Sequence, residues 1–440
     1  IKVLHLKIMK IQYQKNQLLN KIKNFAVATP LTLIGVIAAC LPAEAVSFNF
    51  SYQPGTITKE QIEGVELAGN IWSSYLQDSN VDINVHFQMT SGLLPTGKLG
   101  GATPSIVKMN YDKYKQGLDA DGTANLNLLP TSNQGSDKYS VMLQNGSING
   151  NFYEIMQTSA NNKALGNDIS GDASGLDLYI QLENSVNWSY DYVNGNTPNN
   201  EYDFVSVVLH EIGHGLGFIS GIDARSSQLA LPTALDMFRY SNNSANQGAI
   251  DYRVGGTKYF STDGGQTQTG EFSNGFLNQA SHWKTTTTQP SLGIMSSTIQ
   301  QGETRSISGL DLTAFDYIGW DVNHSAQLNL SALGQDAANK ANNIWGNSNY
   351  IVDRSSDVTA MMIDSGIYYA NGNGNGNGNG NGNDDDPGDL PWPWGGFWQE
   401  GESNYSKAQA IPEGSTNTGL LAMLSLMASS VVKRFQRREV

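Results

Sequence analysis

The chain has 440 residues, is 39% hydrophobic and 15% charged, and carries 47 Gly and a formal charge of −14. That length allows a sizeable core, and the Gly-, Asn- and Ser-rich composition suits a loop-rich exported protein better than a compact helical one. The first 45 residues hold six Lys and one Glu, a net +5, so the rest carries −19, which argues against nucleic-acid binding, where a basic footprint is expected.

The N-terminus reads as a secretory signal. Lys10, Lys15, Lys21 and Lys23 form a basic region, "FAVATPLTLIGVIAACLP" an apolar one, and Ala43–Ala45 a small-x-small cleavage site. A membrane-spanning helix is the weaker reading, because the segment is short and interrupted by prolines. The only cysteine is Cys40, in "IAAC", which also resembles a lipoprotein box. Cleavage after Ala45 leaves a chain without disulfides or thiolate ligands.

Beyond it, "VSFNFSY" (46 to 52) alternates as a half-buried strand does. Residues 58 to 78 carry a helical apolar stripe through Ile62, Val65, Ile71 and Trp72. "VDINVHFQM" (81 to 89) alternates strictly, which places His86 on the polar face as a surface or hydrogen-bonded residue. Residues 92 to 175 give only weak strand candidates, "SIVKMNY" and "YSVMLQNGSINGNFYEIM". "LDADGTANLN" (118 to 127) lacks the carboxylate ladder of a calcium loop and reads as a solvated turn. "GLDLYIQL" (175 to 182) is a further strand. Residues 224 to 307 are polar and irregular, "SGLDLTAFDYIGW" (308 to 320) is a helix with Ser308 near its N-cap, and "LNLSALGQDAANKANNIW" is another helical run. "NGNGNGNGNGNGNDDDPGD" cannot bury a core and reads as a linker.

Chemistry concentrates in "VVLHEIGHGLGFISGID", residues 207 to 223. On a helix, His210 and His214 lie one above the other, about 6 Å apart at Cβ, and can share one Zn2+ at bonds of about 2.0–2.1 Å. Glu211 lies about 100° around the helix, within reach of a zinc-held water whose proton it can take as general base. Gly217 can adopt a positive φ and end the helix. A catalytic zinc needs three protein ligands and an open position. Three residues past Gly217 stands Ser220, a poor ligand, so the third ligand comes from elsewhere in the chain. His86, His282, His324 and Asp223 are the candidates.

"HEIGHGLGF", then "SHW" (281 to 283), then "IMSS" (294 to 297), resembles the leishmanolysin branch of the metzincin zinc peptidases. There the third zinc histidine arrives tens of residues late and a methionine turn follows. The resemblance implies His210, His214 and His282 as ligands, Glu211 as base, Gly217 as the turn glycine and Met295 beneath the metal. Asp223 and His86 are then expected to be dispensable for zinc; Asp236 and Asp311 could support the ligands from behind, with a structural role the preferred reading. It covers about 46 to 322 and implies an α+β fold: a twisted mixed sheet with the active-site helix, and an irregular C-terminal subdomain bearing the methionine turn and a helix. "GLDLYIQL" is then the antiparallel edge strand lining the cleft. The family's disulfides have no counterpart here.

"PEG" at Pro412–Gly414, an apolar run and Lys433, Arg434, Arg437 and Arg438 resemble a bacterial PEP-CTERM sorting signal, with Gly414 in place of its second proline. It implies an exosortase-like processing partner and the cell envelope; a plain membrane anchor is the alternative, although the run is short for a span. The expected organisation is a signal (1–45), a catalytic domain (46–323), an extension (324–370), a linker (371–410) and a sorting tail (411–440). The function expected is exported zinc endopeptidase acting on polypeptides. A surface adhesion protein on a peptidase scaffold is the rival, disfavoured because a structural zinc needs no Glu211. Hydrolysis of a non-protein amide stays open.

Overall fold

A computed structural model describes residues 46–364 and 399–400, apart from 93, 96, 123–125, 168–173, 225–230, 277 and 286–290. The signal, Cys40, the Asn-Gly linker and the sorting tail lie outside the described residues. Strand β1 (Ser47–Tyr52) leads into helix α1 (Lys59–Tyr75) and strand β2 (Asp82–Thr90). Strands β3 (Gly100–Pro104) and β4 (Ile106–Asn110), helix α2 (Tyr111–Asp121), strands β5 (Tyr139–Met142), β6 (Ile148–Phe152) and β7 (Glu154–Thr158), and helix α3 (Ser159–Ala164) follow. Next come β8 (Leu178–Glu183), helix α4 (Phe204–Gly215), the short strands β9 (Lys258–Phe260) and β10 (Gly270–Phe272), and helices α5 (Gly309–Tyr317), α6 (Leu330–Ile344) and α7 (Ser355–Asp364). The fold is α+β, with several small sheets. Among the described residues no helix is long and apolar enough to cross a membrane.

The main sheet has the order β1-β2-β8-β3. β1 runs parallel to β2 (Phe50 opposite Val85), β2 parallel to β8 (Phe87 opposite Ile180), and β3 antiparallel to β8 (Ala102 opposite Ile180). This corrects the expected place of "GLDLYIQL". It is an inner strand paired on both sides, and the antiparallel outer strand is β3. The all-buried run from Leu178 to Glu183 fits an inner strand. β3, built on "GGATP", has too few large apolar residues to announce itself in sequence.

Helix α1 starts in a capping box, Thr58 with Gln61. Its small residues allow close packing: a Cβ on Gly64 would press on Phe204, and one on Gly69 on Phe50. α4 is buried at every position and packs against α1, β3 and β8. Helix α2 covers residues where only a turn was expected, and ends at Gly122, φ +88°.

The boundary expected at 323 falls within packed structure. α6 lies along α1, with Ala337, Ala341 and Ile344 buried in the main core. The Tyr52 amide donates to Tyr350 O at 2.8 Å, and Val352 donates to Tyr52 O at 3.0 Å, so the extension is also stitched to β1.

Candidate metal centre

α4 is set by its own sequence. Asp203 caps it, accepting from Ser206 N at 2.7 Å, and Phe204, Val207, Val208 and Ile212 anchor it in the core. Its glycines answer to tertiary contacts. A Cβ on Gly213 would overlap Met295 Sδ, and one on Gly215 would overlap Leu178 Cδ2 on β8. Gly217, at φ +116°, turns the chain away.

His210, His214 and His282 converge. His210 Nε2 stands 3.1 Å from His214 Nε2 and 3.2 Å from His282 Nε2. The His210 and His282 rings are stacked 10° from parallel, and His214 lies nearly perpendicular to both. All three are buried. His210 Nδ1 donates to Ile294 O at 2.7 Å, His214 Nδ1 to Phe218 O at 2.7 Å, and His282 Nδ1 to Gln279 O at 3.3 Å. A carbonyl can only accept, so each Nδ1 carries the proton and each Nε2 turns its lone pair to a common centre.

Burial lowers all three pKa values. His214 falls to about 4; His210 is held well below its usual value by burial and then by His214 and His282, and His282 by burial and then by His214. All three are therefore neutral at pH 7, the form that binds metal. Three lone pairs this close repel one another unless a cation lies between them. Nitrogens on one tetrahedral zinc at about 2.0–2.1 Å would stand roughly 3.3 Å apart, so the donor set and its spacing fit such an ion.

Glu211 is buried beside this cluster, where a Cβ on Gly100 of β3 would stand 3.1 Å from its Oε1. Lys98, just before β3, is close enough for its charge to act on both Glu211 and His282. Burial lowers Lys98 to about 8, with Glu211 pulling the other way. Sequence reasoning missed Lys98 and Gly100, since nothing in their spacing ties them to the motif.

The other candidates lie elsewhere. Ser220 donates to Asp236 Oδ1 at 2.7 Å, and Asp236 also accepts from Gly221 N and Thr233 N, which fits its structural reading. His86 is buried on β2, 3.0 Å from Ser51 Oγ and 3.1 Å from Gln53 Oε1. His324 is 3.3 Å from Asp316 near the surface. Met295 is buried against Gly213, and its carbonyl accepts from Trp283 N at 2.9 Å.

Asp311 sits behind the ligands, as the sequence allowed. Its carboxylate accepts from Ile294 N (2.8 Å), Met295 N (3.2 Å), Ser308 N (2.7 Å) and Trp283 Nε1 (2.7 Å). It thereby fixes the turn whose Ile294 carbonyl orients His210, and the Trp283 next to His282. Compared with protein-family models, curated proteins and solved structures, the chain matches none.

Proposed function

We propose that the chain is a zinc-dependent endopeptidase of metzincin fold, similar to the leishmanolysin branch, exported and acting on polypeptides. The observation that carries this reading is the convergence of three imidazole Nε2 atoms on one centre, with a carboxylate next in sequence to the first of them. Supporting it are the outer antiparallel strand β3 beside Glu211, the Met295 turn packed under Gly213, and helix α5 beyond it, an arrangement in keeping with the family resemblance. The PEP-CTERM-like tail adds the proposal of sorting to the cell envelope by an exosortase-like enzyme.

His210, His214 and His282 would hold the zinc. When bound, it supplies Lewis acidity that activates water for attack on an amide carbonyl. The carbonyls of Ile294, Phe218 and Gln279 keep the three Nε2 atoms deprotonated and aimed. The Glu211 carboxylate takes the proton of the attacking water and delivers it to the departing nitrogen. Metal analysis with casein hydrolysis, with and without chelator, tests the reading. Bound zinc and chelator-sensitive cleavage are expected; a metal-free protein, or cleavage indifferent to chelator, sinks it.

A further inference from the structure

His282 lies 72 positions from His210, yet its peptide is gripped on both sides. The segment before it is held by Asp223. Oδ1 accepts from Ala280 N at 2.6 Å and Oδ2 from Ser281 N at 2.9 Å, so one carboxylate captures two consecutive amides. Arg239, fully buried, donates to Ala280 O at 3.1 Å and Ser273 O at 2.7 Å, its guanidinium 4.7 Å from the Phe272 ring centre. Ser273 N in turn donates to His282 O at 2.9 Å.

Asp223 is also close to the other two ligands along the chain. Gly217 ends their helix, Phe218 O orients His214, and Asp223 closes the next turn, its amide donating to Ser220 O at 3.1 Å. The exit of the active-site helix is thus tied directly to the segment that presents His282. By sequence alone Asp223 is a rival ligand, and with His282 in that place it is expected to be dispensable.

We propose that Asp223 is the positioning residue for the third metal ligand. It binds no metal itself; it clamps the Ala280–Ser281 backbone to the helix exit, so that His282 meets His210 and His214. This rests on the metal-centre reading above. Losing a partner that orients a ligand typically costs about 10–100-fold in metal affinity.

The test is Co2+ titration of the full chain, followed by visible absorption and by competition with a chromophoric chelator, alongside near-UV circular dichroism of the metal-free proteins. Asp223→Ala is expected to keep the metal-free fold, bind Co2+ about 10–100-fold more weakly, and shift the cobalt spectrum toward that of His282→Ala. Asp223→Asn keeps one acceptor oxygen and is expected to fall between. In a His282→Ala background, Asp223→Ala should change affinity no further. Wild-type affinity and spectrum in both Asp223 variants would overturn the proposal. So would an equal loss in the His282→Ala background, which marks a general structural role. If Asp223→Ala does not fold, Asp223→Asn decides by the same comparisons. If the wild type binds no Co2+, the metal centre falls and this proposal with it; if the wild type binds and the Asp223 variants match it, only this proposal falls.

Discussion

The His210 imidazole and the Ile294 carbonyl meet at 2.7 Å across 84 residues of chain, and Asp311 holds the Ile294 and Met295 amides from the other side. The orientation of the first histidine of the motif therefore depends on a carboxylate in α5. Asp311→Asn replaces a four-fold acceptor with a group that must donate. We expect a loss of about 3 kcal/mol or more in stability and about 10–100-fold weaker metal binding. Urea unfolding of the metal-free protein and a metal titration measure the two. Unchanged values in both would show that the turn holds without Asp311.

Glu211→Gln removes only the proton acceptor. Fold and metal content are expected to persist while peptide hydrolysis falls about 10²–10⁴-fold or more. Hydrolysis at the wild-type rate would exclude Glu211 as the base.

Gly215→Ala is expected to destabilise although alanine favours helices by about 1 kcal/mol. The new methyl would overlap Leu178, and overpacking typically costs about 1–3 kcal/mol. Leu178→Ala alone leaves a cavity, so the double variant should be more stable than the two losses combined. Additive thermal shifts would show that the two side chains do not meet.

Truncation separates the tail from the body. Ending the chain after Glu400, which keeps Gln399–Glu400 paired with Thr298–Ile299, should leave the fold intact. Ending it after Asn323 uncovers the α1 face beneath α6 and removes the buried Ile344, Val358 and Met361, at a cost of about 5 kcal/mol or more. An equally stable 46–323 fragment would restore the boundary read from sequence.

His86 gives a pH dependence outside the metal centre. Burial lowers its pKa to about 4, Arg354 pushing the same way and Asp353 and Asp357 opposing. The unfolded chain, with a histidine pKa near 6.5, binds more protons than the folded one between about pH 6.5 and 4. The contribution is whole at pH 7 and is lost as pH falls through that window, by roughly 3 kcal/mol. His86→Gln should flatten the acid limb of unfolding free energy against pH; parallel profiles would refute the assignment.

The sequence by itself determined what depends on near neighbours. Alternation in 81 to 89 marks β2, the helical stripe marks α1, and i, i+4 spacing puts His210 and His214 on one face, because these contacts repeat within a few residues of the chain. His282 was reached only by likeness to a known motif, since no periodicity links it to a helix 68 residues earlier. Strand order, the packing of α6 on α1, the strut of Asp311 and the clamp of Asp223 were decided by the tertiary structure alone. The helix packing joins apolar side chains far apart in the chain, and the strand pairing, strut and clamp act through backbone amides and carbonyls that nearly every residue carries, so the local sequence holds no sign of which partner each will find.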